Sequence, residues 1–235
     1  MFVERTNCDR THRFSFMNQI NSFERNWIPR IMLILHGVGV VGILAGHGKF
    51  FLDFTASNLL VNGILAAWMD WEDRHWTWLA AIAGGLLVEI IGVQTGVLFG
   101  AYAYGDILGM KLAGVPLILG ALWWMSLLGF GHWSDRIMKR WFKLKNNALA
   151  LIVRALVAAS LMTALDGLIE PVAIRAGWWA WDSVDVPWSN YATWWFVAFA
   201  FHLLPHKKGK NIGAGLLVAI FVFFFLFLNW FPWTR

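Results

Sequence analysis

Seven stretches of this chain are long and apolar enough to be read as helices that cross a membrane, at residues 28–46, 51–69, 76–97, 113–131, 148–170, 188–204 and 212–230. A helix needs roughly 17 to 25 mostly apolar residues to span a bilayer. In lipid it also satisfies every backbone N–H and C=O within its own segment. The chain is therefore predicted to be all-α, a polytopic integral membrane helical bundle of about seven transmembrane helices. Asp53, Asn58 and Asn62 interrupt the second stretch and the sixth is short, so six or eight spans would also fit. With 59% hydrophobic and 14% charged residues among 235, too little polar surface remains to cover a soluble domain.

Two parts are expected: a cytoplasmic N-terminal arm over 1–27 and a transmembrane helical domain over 28–235. The arm carries Arg5, Arg10, Arg13 and Arg25 but no apolar core, so nothing in it reads as a cleaved signal. Basic residues fix the orientation. The arm, Arg30, Arg74, the run RIMKRWFKLK (136–145) and Lys207, Lys208 and Lys210 fall on one side; Lys49, Lys111, Arg175 and Arg235 fall on the other. This predicts a multi-pass protein of the cell inner membrane with its N-terminus cytoplasmic. It also explains the basic balance through contact with membrane lipid, with no nucleic acid partner. The lone Cys8 excludes an internal disulfide and any site built from several thiolates.

Three motifs are set aside. GVGVVG (Gly37 to Gly42) matches a dinucleotide pattern but lies inside an apolar span with no preceding strand. Its glycines, like Gly92, Gly96 and Gly100, are expected to let helices approach closely. His202 and His206 have a metal-pair spacing, yet Pro205 separates them, and no metal is expected. A retinal pigment needs a lysine in the last span, which has none.

Ionisable groups within a span cost on the order of 3 kcal/mol at mid-bilayer, so each requires an explanation. Glu89 lies about two turns from the end of the third span, and Asp166 and Glu170 share one face near the end of the fifth. All three are expected at a similar depth. Glu170 alone could be an interfacial residue at a helix ended by Pro171, and Arg154 a cation reaching out to the surface. Desolvation disfavours the charged form of a carboxyl. A neutral carboxyl beside an ionised one supplies both a general acid and a general base, with no cofactor. The nearby aromatics Phe99, Tyr102, Tyr104, Trp178, Trp179, Trp181, Trp188, Trp194 and Trp195 are either interfacial anchors or the walls of a tunnel for a flat apolar substrate. In the second role they would stabilise a carbocation. Trp178 and Trp181, beside the acidic pair, and Tyr102 and Tyr104, beside Glu89, are singled out. Gln94, Thr95 and Asn190 could hold a water or bond between helices.

These residues resemble a known family. EIIGVQTGVLFGAYAYGDILGMKLAGVPL (Glu89 to Leu117), LDGLIEPVAIRAGWWAW (Leu165 to Trp181) and VPWSN (Val186 to Asn190) are similar to the membrane carotenoid biosynthesis proteins. The likeness is to the acyclic carotenoid 1′,2′-hydratase and bisanhydrobacterioruberin hydratase type. It rests on Glu89, Thr95, Gly96, Phe99, Gly100, Tyr102, Tyr104 and Val115 to Leu117, then on Asp166, Glu170, Pro171, Trp178, Trp181, Pro187 and Asn190. It covers roughly residues 75 to 205, with Trp188 standing where the family has leucine. The resemblance implies a hydro-lyase that adds water across a terminal isoprenoid double bond of an acyclic or monocyclic carotene through a tertiary carbocation. Lycopene, γ-carotene or a longer acyclic carotenoid would be the substrate, and other carotenoid enzymes the associates. Glu89, Asp166 and Glu170 would be catalytic, with acid and base unassigned; Thr95, Phe99, Tyr102, Tyr104, Trp178, Trp181 and Asn190 would bind substrate. A carotene cyclase using the same proton donor, a non-enzymatic carotenoid-binding membrane protein and a proton-relaying transporter remain alternatives.

Overall fold

The structure is a computed structural model that describes residues 26–142, 148–204 and 210–233. Most of the predicted N-terminal arm, with Cys8, and Lys143, Lys145, His206, Lys207, Lys208 and Arg235 lie outside the described residues. Among the described residues, eight α-helices are arranged as α1 (Ile28–Gly42), α2 (Gly48–Asp53), α3 (Thr55–Met69), α4 (Trp76–Thr95), α5 (Ile118–Ile137), α6 (Ala148–Ala176), α7 (Trp188–Leu203) and α8 (Ile212–Trp230). All but α2 correspond to the seven apolar stretches. Among the described residues, four runs are long and apolar enough to cross a membrane: Ile28–Asp53, Trp76–Thr95, Ala148–Ala176 and Ile212–Trp230. The molecule is an all-α membrane bundle whose outward faces carry exposed Val38, Leu79, Leu87 and Phe223.

The central helix is α5, which packs against α3, α4, α6, α7 and α8. Its buried residues include Trp123, Trp124, Met125, Leu127 and Phe130, spread around the helix. A helix buried on every side is screened by protein rather than lipid, so α5 can carry the polar segment HWSD near one end. Small residues set the closest approaches. A side chain at Gly213 of α8 would meet the Ala66 carbonyl of α3 at 2.7 Å.

Helix limits depart from the sequence expectation in three places. The first run continues past residue 46 through a π-turn (Ile43–His47) to Asp53, with the bend at Gly46, whose φ is +86°. The fourth helix begins at Ile118 rather than 113, because Lys111–Leu112 (β2) pairs antiparallel with Val115–Pro116 (β3). Ala113 and Gly114 turn that hairpin with φ of +50° and +84°, the positive pair of a tight two-residue turn. The fifth helix does not end at Glu170. Pro171 lies inside α6, which runs on to Ala176, so Glu170 is a buried mid-helix residue and not an interfacial one. Of the glycines expected at close approaches, Gly92 does pack under the Phe99 ring, Gly42 under Phe51 and Gly100 against Pro187, whereas Gly96 reverses the chain with positive φ.

At the end of the bundle away from β2 and β3, charged groups hold helices together. Arg154 Nε donates to Asp135 Oδ1 at 2.6 Å, linking α6 to α5 instead of reaching outward. Asp70, in the 70–75 connector, accepts the N–H groups of Gly213 and Ala214, both at 2.8 Å, and so caps the start of α8. Burial pushes the Asp70 carboxyl up to about 6, and the backbone donors of Ala214 and Gly213 oppose this. Between its ordinary value of 3.8 and about 6, the folded protein holds a proton that the unfolded chain has released. Stability is therefore greatest below that window and falls as pH rises through it. In detergent, the wild type is expected to lose melting temperature between about pH 4 and 6 relative to Asp70→Asn, whose amide does not titrate; parallel pH profiles would refute this account.

Candidate active site

The site depends on two chain reversals. Helix α4 stops at Thr95, where Gly96 adopts φ +65° and its N–H bonds to the Gly92 carbonyl at 2.8 Å. The chain folds back under α7, whose Ser189 and Thr193 hydroxyls donate to the carbonyls of Phe99 and Leu98. It then enters the short strand β1 (Tyr102–Tyr104). Helix α6 closes with a Schellman motif: Gly177 has φ +71°, its N–H bonds to Ile174 at 3.1 Å, and Trp178 N–H bonds to Ala173 at 2.9 Å. Strand β4 (Trp179–Trp181) follows and pairs antiparallel with β1, opposing Tyr102 to Trp181 and Tyr104 to Trp179. Because side chains alternate along a strand, the two tyrosines and two tryptophans share one face, directed onto the carboxyls of α4 and α6.

Tyr102 and Tyr104 donate their hydroxyls to Glu89 Oε2 at 2.6 and 2.8 Å, and Trp123 of α5 donates its ring N–H to Glu89 Oε1 at 3.0 Å. Across the site, Trp179 and Trp181 donate ring N–H groups to Glu170 Oε2 at 3.0 and 2.9 Å. Asn190 of α7 bridges the acidic pair, with its amide 2.8 Å from Asp166 Oδ2 and 3.3 Å from Glu170 Oε1. All three carboxyls are buried. They line one cavity, together with Phe99, Ser126, Trp194 and the aromatic face of the ribbon. Trp194 stacks flat on Trp123, with centroids 4.2 Å apart and planes at 2°.

Seven of the ten expected site residues thus meet Glu89 around the cavity: Phe99, Tyr102, Tyr104, Asp166, Glu170, Trp181 and Asn190. Trp178 and Thr95 do not. Trp178 has the opposite strand parity from Trp179 and Trp181, so its ring turns away from the acids and meets Phe225 edge-on at 6.1 Å. Thr95 is exposed and donates back to the Ile91 carbonyl at 2.6 Å. Gln94 donates to the Ala113 carbonyl, Trp188 is exposed, and Trp195 bonds to Ser160. Sequence reasoning missed Trp123 and Ser126 on α5 and did not single out Trp179 or Trp194. The available signal was the position of Trp123 in the middle of a span, away from the interfacial belt where tryptophans gather.

An all-α membrane protein with an acidic, aromatic-walled cavity inside its bundle is the class that this fold and site define. A model of the carotenoid biosynthesis protein family matches residues 50–232, and the chain belongs to that family. A curated relative, the bisanhydrobacterioruberin hydratase of Haloarcula japonica, is 30% identical over 120 residues, covering 46% of this chain and 36% of the relative. The match therefore spans only about a third of that protein's length. No solved structure matches.

A buried carboxylate that loses one of its donors forfeits on the order of 1–3 kcal/mol. Tyr102→Phe and Trp123→Phe should each lower the thermal stability of the detergent-solubilised protein by about that much, with Tyr102→Phe keeping the ring contact to Trp181. Melting curves that match the wild type would show that the Glu89 cluster contributes nothing to the fold.

Proposed function

We propose that the protein is a hydro-lyase that adds water across a terminal isoprenoid double bond of an acyclic or monocyclic carotene, such as lycopene or γ-carotene. The observation that carries this reading is the unequal supply of donors to three carboxyls facing one aromatic cavity. Glu89 receives three donors and Glu170 receives three, a surplus that suits ionised carboxylates. Asp166 receives one, from Asn190, which makes it the best placed to carry a proton. The named activity of the Haloarcula japonica relative supports the same reaction class.

In this mechanism Asp166 is the general acid. Its proton goes to the less substituted carbon of the terminal alkene, and the π electrons form the new C–H bond, leaving a tertiary cation. The faces of Trp181, Tyr102 and Trp194 stabilise that cation. A water held near Ser126 and Asn190 attacks it, forming the C–O bond and releasing a proton to Glu170 as base. Return of that proton to Asp166 resets the site, and the balance is alkene plus water to tertiary alcohol. Glu89, across the cavity, supplies fixed negative charge toward the cation. Polar groups able to hold water favour hydration over capture by an internal double bond, the step a cyclase would use.

Expression in a bacterium accumulating lycopene, or one accumulating γ-carotene, tests this directly. Chromatography with mass spectrometry should find a product heavier by one water, and Asp166→Asn and Glu89→Gln should each reduce it at least a hundredfold while the protein still accumulates in the membrane. An isomer of unchanged mass would replace the hydratase reading with a cyclase. No product from well-expressed protein would point to carotenoid binding without chemistry. The orientation belongs to the same proposal, with an N-terminus cytoplasmic in the inner membrane. A membrane-impermeant maleimide should label Cys8 in inverted vesicles and not in intact spheroplasts; the reverse pattern would invert the topology.

A further inference from the structure

The acid cavity is far too small for the length of a carotene, so the remainder of a long polyene needs a second space. A chamber adjoins it, and Leu119, Leu122, Ile169 and Trp179 line both. Its other walls are largely apolar and include Ile43, Leu52, Leu59, Leu108, Phe221 and Phe225. Its polar lining includes the ring N–H of Trp178, which has no partner among the described residues, while His36, Thr55 and Asn58 bond locally along the chain. His36 Nδ1 pairs with the Met32 carbonyl at 2.9 Å while its ring faces Phe221 and Phe224, and Asn58 Oδ1 accepts from Asn62. A ligand there meets hydrocarbon and ring faces, which suits a polyene and not a polar molecule.

Beyond the chamber lies a groove on the outside of the bundle between α1, α2 and α3. Exposed Ile34, Val38, Phe50, Phe54 and Val61 line it. Gly39, Phe51 and Asn58 line the groove and the chamber alike. Acid cavity, chamber and lipid-facing groove therefore adjoin in series. The bend at Gly46 produces this arrangement by folding α2 back so that Phe51 packs on Gly42 at the junction.

We propose that the chamber holds the polyene arm of the substrate and that the substrate enters it sideways from the bilayer, between α1 and α3, past Gly39 and Phe51. The identity of the ligand rests on the carotenoid reading of the acid site; the route rests on the cavities. Gly39 is the specificity-determining position. A side chain there would begin with its nearest neighbour, Phe224 Cε2, at 3.9 Å. The backbone thus accepts a substitution, and a large side chain fills the junction. Gly37, two residues away, has nothing within 4 Å and lines neither space.

The test compares wild type, Gly39→Phe and Gly37→Phe as full-length proteins from lycopene-accumulating cells. Lycopene bound per protein is read from its visible absorbance after purification, and product is measured in the extracts. Gly39→Phe is expected to lower bound lycopene and product at least tenfold, with Gly37→Phe matching the wild type and melting curves agreeing across all three. Gly39→Leu, a smaller plug, should give an intermediate loss and serves if the phenylalanine prevents folding. Wild-type levels of bound lycopene in both Gly39 variants would overturn the route, as would lycopene bound by none of the proteins. If the wild type binds lycopene without converting it, the hydration reading fails, while a loss of binding in the Gly39 variants would still establish the chamber.

Discussion

A carboxyl buried in an apolar bundle must be supplied with donors from the protein, because no bulk water reaches it and the cost of leaving it bare runs to several kcal/mol. Three such carboxyls sit at one end of this molecule, and the local structure there serves that need. Two chain reversals at Gly96 and Gly177 bring β1 and β4 together. Their alternation then delivers two phenol hydroxyls to Glu89 and two indole N–H groups to Glu170. The central helix adds Trp123 from below. Backbone donors could not do this, since those of α4 and α6 are already committed to their own helices.

The opposite end of the bundle shows what purely structural acids look like in the same fold. Asp70 places its oxygens on two successive N–H groups at the start of α8, and Asp73 accepts from the backbone N–H groups of Lys210 and Asn211. Asp135 is engaged by the guanidinium of Arg154. Asp70 and Asp73 satisfy backbone donors at the start of α8, and Asp135 ties α5 to α6. Asp166 differs in kind: it has one side-chain donor and faces a cavity. On the hydratase reading, that exposure to the cavity with a single donor is what a proton-delivering carboxyl needs.

The helices could be read from the sequence because lipid leaves the backbone few choices, and seven apolar stretches became seven long helices. The convergence of Glu89, Asp166 and Glu170 could be read too, since distance from a span's end fixes depth and i, i+4 spacing fixes a face. The ribbon could not. YAY and WAW are each too short to declare a strand by alternation, and their pairing joins residues far apart in the chain. That pairing separates Trp178 from its neighbours: strand parity sends Trp179 and Trp181 to the acids, while Trp178 lines the adjoining chamber. Pro171 misled, because a proline that removes one helical hydrogen bond need not end a helix whose neighbours hold it on both sides.

Polarity changes along the line of cavities. Carboxyls, Ser126 and Asn190 gather at the ribbon end, while the adjoining chamber and groove are lined mainly by aliphatic and aromatic side chains. On the hydratase reading this gradient does more than admit the substrate. A polyene contains many double bonds of similar reactivity toward a proton, so an acid exposed along its length would protonate it without selection. Confining the proton donor and the water to the far end of an otherwise dry path restricts reaction to the terminal alkene, because only that carbon reaches an acid when the rest of the chain is seated in the chamber. Regiochemistry then follows from the distance between Asp166 and the chamber wall, and not from any group that recognises one double bond over another.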